Sequence, residues 1–272
     1  MKSARPREPL DVGWLRAALV GADANWRRVD VVEETGSTNA DLLARAADGE
    51  DIAGAVVLAE HQIAGRGRHG RSWSAPARSQ VALSAGIGVG DAPPDAWGWL
   101  PLLAGVAVVD AVSDVTGVSA GLKWPNDVLV DGGKLAGILA EVAAPDPVIV
   151  VGLGLNVSMT AQEAPDPNAT SLTMVGVDDV DRTRLVIEVL RQLAFRVGGW
   201  RAARGADARL AADYRSHSRT IGNKVRASLP GGRAIEGVAA DVDELGRLRI
   251  DTGTEVVTVS AGDIAHLRPI TP

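Results

Sequence analysis

Residues 65–73 read Gly-Arg-Gly-Arg-His-Gly-Arg-Ser-Trp, and no other stretch restricts the fold as tightly. Three arginines and three glycines fall within seven residues, in a chain whose formal net charge is -6. Glycine at every second or third position weakens helix and strand alike, because it loses the most backbone entropy on ordering. Three guanidiniums so close together also have no plausible buried partners. The stretch is therefore a surface loop that needs a rigid frame to hold it. Its glycines let backbone N–H groups approach an anion, and arginine offers a planar fork matched to phosphate or carboxylate. On these residues alone, a solvated basic loop and a small nucleic-acid contact ending on Trp73 stay open.

The frame is legible on either side. Residues 53–61 and 81–89 are apolar runs that predict strands, so the loop joins two strands of a sheet. Residues 28–34 alternate around Val29 and Val31 and predict a strand before them. Thr35-Gly36-Ser37-Thr38-Asn39 then sets small hydroxyls at the mouth of a helix over 39–47. Ser37 or Thr38 serves there as a helix cap, or faces a ligand beside the free N–H groups. Further upstream, residues 10–20 predict a short helix, and the basic, proline-broken residues 1–9 predict a loose tail. Residues 97–115 are apolar nearly all round and predict a buried helix.

Only Lys2, Lys123, Lys134 and Lys224 are lysines, so a lysine inside an apolar stretch needs a reason. Lys123 opens Lys-Trp-Pro-Asn-Asp at 123–127, and Asp131-Gly132-Gly133 is a hairpin signal. On the returning strand, 134–139, strict alternation puts Lys134 on one face with Ala136 and Ile138. Its ammonium lies at the strand's wet end or is aimed at a ligand. Residues 147–157 predict another strand, whose Gly152-Leu153-Gly154-Leu155-Asn156 lets a ligand approach the backbone. Helices are predicted over 182–201 and 206–216. From residue 220 the texture changes to short β segments at 224–229, 234–242, 248–251 and 255–260. These predict a small all-β barrel of about fifty residues, a size at which independent folding is marginal.

Zero cysteines exclude disulfides, thiolate metal sites and cysteine nucleophiles. No unbroken apolar run is long enough to span a bilayer, and residues 1–9 carry no signal pattern, so a cytoplasmic location is expected. A pI near 5.3 argues against nucleic-acid binding by the surface as a whole. No histidine or aspartate cluster suggests a permanent metal site.

Taken in order, G-R-G-R-x-G-R-x-W, K-W-P-N-D, G-K-L-A-G-I-L and G-x-G-x-N resemble the biotin protein ligases, over roughly residues 32–157. The C-terminal β segments resemble that family by texture and position. The resemblance implies an α+β fold: a mixed/antiparallel sheet flanked by helices, as in class II aminoacyl-tRNA synthetase and biotin ligase cores, plus a small C-terminal Src-homology-3-like β-barrel. The implied division is an N-terminal tail and short helix at 1–28, a catalytic domain at 29–218 and the barrel at 219–272.

The resemblance also implies the chemistry. Biotin carboxylate attacks the α-phosphate of ATP, giving biotinyl-5′-AMP and pyrophosphate. A lysine of a biotin carboxyl carrier domain, part of an acyl-CoA carboxylase, then displaces AMP. Both first reactants are anions, and a cation between them relieves their repulsion. Lys134 and Arg68 are the implied catalytic residues. Ser37, Thr38, Asn39, Gln62, Gly65, Arg66, Gly137 and Gly152, with Arg68 and Lys134, fall at biotin-binding positions. Arg71, Trp73, Asn126 and Asn156, again with Arg68 and Lys134, fall on the nucleotide side. Asn126 and Asp127 orient Lys134 or hold a transient Mg²⁺ near the phosphates, or form a capped turn after Pro125. Many family members carry an N-terminal winged helix that binds operator DNA. This chain resembles the monofunctional type, for which neither DNA nor membrane is an expected partner. A lipoate protein ligase, sharing fold and adenylate chemistry, and a biotin-responsive DNA-binding repressor are the rival readings.

Overall fold

The computed structural model describes residues 6–21, 26–145, 147–229, 232–264 and 266–269. Seven strands form one sheet: β1 (Arg28–Thr35), β2 (Ala55–Gln62), β3 (Gln80–Gly88), β4 (Gly121–Lys123), β5 (Asp127–Val130), β6 (Gly133–Ala143) and β7 (Val148–Asn156), in the order β1-β2-β3-β7-β6-β5-β4. β1 and β2 run parallel and every other neighbouring pair antiparallel, so the sheet is mixed, as expected. Helices α1 (Val12–Leu19), α3 (Trp99–Thr116) and α4 (Arg182–Ala202) pack over one face, with α5 (Ala208–His217) against α3. Helix α2 (Thr38–Ala47) covers part of the other face.

Alternation explains the two-sided burial. Along β7, Ile149, Val151, Leu153 and Leu155 join the larger core, while Val148 and Val150 meet Leu42 and Ala46 of α2. Such strands read as continuous apolar runs because both faces are covered. On the α2 face, however, the next positions of β7 are Gly152, Gly154 and Asn156. There the apolar layer stops and leaves a hollow in the sheet. Helix α3 belongs to a stretch, Pro94–Thr116, long and apolar enough to cross a membrane, yet most of it is buried inside the protein.

The chain then builds a second, five-stranded antiparallel sheet from β8 (Lys224–Ser228), β9 (Ala234–Val242), β10 (Leu248–Asp251), β11 (Val256–Val259) and β12 (His266–Pro269). Its order is β11-β10-β9-β8-β12, and β12 was not among the segments the sequence predicted. The indoles of Trp99 and Trp124 donate to the carbonyls of Glu244 and Gly246 in the turn between β9 and β10, at 2.7 and 3.0 Å.

Two expectations fail. Arg7 is no part of a loose tail: its guanidinium bonds Ser158 Oγ at 3.1 Å and the Ser158 carbonyl at 2.9 Å, and pairs with Glu163 at 2.6 Å. Residues 1–5 lie outside the described residues. Lys134 does not share a face with Ala136 and Ile138. Leu129 pairs with Lys134 and Val128 with Ala136, so Leu135 is an extra residue in a β-bulge. The bulge resets the alternation: Ala136 and Ile138 enter the core, and Lys134 lines the hollow with Gly137 and Leu139.

Candidate active site

The hollow is a cavity of about 990 Å³ between the α2 face of the sheet, the arginine–glycine loop and the edge of the second sheet. Its floor is made by close approach. A Cβ on Gly152 would overlap Asn39 Oδ1, and one on Gly154 would overlap the Trp73 indole. One on Gly137 would lie 2.9 Å from Trp73 and 3.2 Å from Lys134 Nζ. Side chains at these three positions would fill the site, which is the physical content of the G-x-G signal.

The inner end is lined by buried amides and hydroxyls, most of them paired. Ser37 stands at the helix-cap position of α2 yet makes no capping hydrogen bond, and it lines the cavity instead. Gln62 Oε1 accepts from the Thr38 backbone N–H at 2.9 Å and from Thr38 Oγ1 at 3.1 Å, which turns its amide NH₂ toward other partners. Thr38 Oγ1 lies 2.7 Å from Ser84 Oγ, and Ser84 donates to Asn39 Oδ1 at 2.5 Å. Asn39 Nδ2 donates to Glu141 Oε2 at 2.8 Å and to the Leu139 carbonyl at 3.3 Å. Both amide hydrogens of Asn39 are thus committed, although it lines the cavity. Glu141 also pairs with Arg66.

The outer end is charged and half-exposed. Lys134 Nζ pairs with Asp127 at 2.6 Å and lies 5.5 Å from the Trp73 ring centroid. Asp127 also faces Lys123 at 3.6 Å. Asn126 donates to the Ile138 carbonyl at 2.8 Å and accepts from Arg68 Nη1 at 3.3 Å. Burial and the like charge of Arg71 push the Arg68 guanidinium down from its ordinary value, with Asp127 opposing. Arg71 lines the same end. Trp73 donates its indole N–H to Gln80 Oε1 at 2.6 Å. Asn156 lines the cavity while its amide holds the Thr170 carbonyl at 2.9 Å, fixing a segment that pairs with Lys134. The Lys134 N–H donates to the Asn168 carbonyl at 2.6 Å, and the Thr170 N–H to the Lys134 carbonyl at 2.9 Å.

Every predicted site residue except Gly65 lines this cavity. Gly65 borders a smaller one, about 420 Å³, between the loop and β6. It is packed against Trp73, whose backbone N–H donates to the Gly65 carbonyl at 2.8 Å, so it closes the loop on itself. Sequence reasoning missed Ser84, Glu141 and Gln80, the 168–170 segment, and Leu267, Arg268 and Pro269 of the second sheet, which close the outer end. A hydroxyl at Ser84 within an otherwise apolar run was the available signal for the first.

Residues 33–157 match the Biotin/lipoate A/B protein ligase family, and residues 220–267 match the Biotin protein ligase C terminal domain. Over 267 residues the chain is 56% identical to the biotin--[acetyl-CoA-carboxylase] ligase of Mycobacterium tuberculosis (strain ATCC 25618 / H37Rv), covering 97% of this chain and 98% of that one. The chain belongs to the biotin protein ligase family. A more distant relative of this ligase is the bifunctional ligase/repressor BirA of Bacillus subtilis (strain 168), 30% identical over 241 residues, with 86% of this chain and 72% of that one covered. Among solved structures, the biotin protein ligase from Aquifex aeolicus in complex with biotin and ATP superposes with a TM-score of 0.76 at 25% identity, over 90% of this ligase and 100% of the other chain.

Proposed function

We propose that the chain adenylates biotin with ATP, releasing pyrophosphate, and then transfers the biotinyl group to a lysine of a biotin carboxyl carrier domain of an acyl-CoA carboxylase, releasing AMP. One observation carries this reading: a single cavity joins an end of hydrogen-bonded amides and hydroxyls to a lysine–arginine end. A ureido ring has two N–H donors and one carbonyl, and Ser37, Thr38 and Gln62 offer matching acceptors and donors. Asn39 and Glu141 hold those groups and Arg66 in place. At the other end Lys134 stands where a carboxylate and an α-phosphate meet, and offsets their repulsion. Arg68 and Arg71 hold the phosphate of the adenylate, while Trp73 and Asn156 border the nucleotide. The loop excludes water, as a reactive acyl-adenylate requires.

Magnesium enters such a reaction on the triphosphate. Asp127, its expected protein ligand, already faces two ammonium groups, and a divalent cation would compete with both. That fit is poor, so Asp127 is assigned to Lys134 and no step is routed through a protein-held metal. A cysteine-free chain suits a reducing compartment, and we place the reaction in the cytoplasm. The test is biotin-dependent exchange of pyrophosphate into ATP without acceptor, followed by the mass of a carrier domain incubated with biotin and ATP. Lipoate supporting exchange as well as biotin would overturn the biotin assignment.

A further inference from the structure

The loop does more than roof the cavity. At its tip His69 takes a left-handed backbone (φ 55°, ψ 39°), which turns its imidazole outward to the second sheet. There His69 Nε2 lies 2.9 Å from the Ile264 carbonyl oxygen. A carbonyl only accepts, so Nε2 carries the hydrogen and donates. The 3.3 Å approach of Arg68 Nη2 to the same nitrogen is then proximity, not a second bond. Arg68 Nη2 also donates to the Ala261 carbonyl and approaches that of Ile264 at 3.4 Å.

The receiving carbonyls are fixed. The helical turn Ala261–Asp263 is held by a capping box, in which the Ser260 side chain and backbone exchange hydrogen bonds with Asp263. The Ile264 side chain is buried in the main core. A fixed acceptor in the β11–β12 connection thus faces a donor on a loop carried by the larger sheet. Arg68 has a second task in the proposed reaction, holding phosphate, and that task competes with its bond to Ala261. His69 has no such competing task and lies outside the lining of the main cavity.

We propose that His69 is a positioning residue: it latches the Gly65–Trp73 loop to the C-terminal sheet through the Ile264 carbonyl and thereby sets how long the adenylate is retained. Nε2 donates both as the neutral Nε2–H tautomer and as imidazolium, so the latch needs no charge. The inference rests on the adenylation reading for its consequence, though not for its geometry.

The test compares wild type with His69→Ala, His69→Asn and His69→Gln in the full chain. Asparagine suits the left-handed backbone but is too short to reach Ile264, whereas glutamine places an N–H near Nε2. Limited trypsin digestion reads the latch directly, since Arg66, Arg68 and Arg71 lie in the loop. Cleavage there should be about three- to tenfold faster in the alanine and asparagine variants, the effect of one lost neutral hydrogen bond, and near wild type in glutamine. With biotin and ATP, pyrophosphate exchange should stay within about twofold of wild type in all variants, while biotin deposited on serum albumin rises about three- to tenfold in alanine and asparagine only. Wild-type cleavage rates in His69→Ala, or no rescue by glutamine, overturn the latch. Altered cleavage with unchanged albumin labelling overturns its role in retention. Absence of exchange in wild type sinks the adenylation reading instead, and trypsin still decides the geometry.

Discussion

The two ends of the cavity are built on opposite principles. At the inner end Ser37, Thr38, Asn39 and Ser84 are each at most 4% exposed, and almost every polar atom has a fixed partner. At the outer end Lys134 and Asp127 keep 33% and 19% of their side-chain surface, and the cations rest on partners that a phosphate could displace. A buried hydrogen-bonded network is rigid because leaving any member unpaired is costly. A half-exposed ion pair holds only weakly and exchanges partners readily. The inner end is therefore suited to selecting a ligand and the outer end to following charge as it moves through two chemical steps.

The largest expected effect probes the outer end. Lys134→Ala should slow pyrophosphate exchange by about 10²–10³-fold, the usual consequence of removing one pre-placed charge partner, while circular dichroism and thermal melting stay near wild type. An unfolded variant would make Lys134 structural and erase the contrast between the ends. Arg68→Gly should still form biotinyl-AMP but shorten its residence about ten- to hundredfold, the weight of one arginine–phosphate contact, with a matching rise in albumin labelling. If it makes no adenylate, Arg68 acts in the first step.

At the inner end, Ser84→Ala orphans Asn39 Oδ1 and removes a neighbour of Thr38. It should raise the Kd for biotin by about tenfold, measured by calorimetry, with kcat for exchange nearly unchanged. A fall in kcat without a change in Kd would show that the two ends are not separate. The smallest effect is a salt dependence. Raising ionic strength from about 0.05 M to about 0.5 M should raise KM for ATP about threefold, through screening of the half-exposed cations, and leave KM for biotin flat.

The outer end was the more legible in the sequence, and the reason is physical. Lys134 and the loop arginines stand out because charge beside apolar runs or glycine has few structural explanations. The strands, the buried α3 and the two-part architecture follow from periodicity in the same way. What supports the inner end does not stand out. Ser84 is one small polar residue among small apolar ones, and Glu141 is one charged residue near the end of an apolar strand. Their roles come from β3 and β6 meeting α2 in space. The face of Lys134 was misread because a bulge at Leu135 is set by pairing with β5, which no local pattern in β6 encodes. The loop's attachment to Ile264 spans 195 residues of chain and is invisible to any window.

The tryptophan clasps and the common core have a consequence for how the molecule comes apart. Val225, Ala239 and Ile250 of the second sheet belong to the same apolar cluster as Leu103 of α3 and Leu155 of β7. Trp124, inside the Lys-Trp-Pro-Asn-Asp motif, holds the β9–β10 turn through its indole. Heating should therefore melt both sheets in one cooperative step, with calorimetric and van't Hoff enthalpies in agreement. Cutting the chain after Ser218 would strip the cover from Trp99 and Trp124 and orphan both indole N–H groups. A single transition would mark the smaller sheet as the last layer of the larger one and not a detachable appendage.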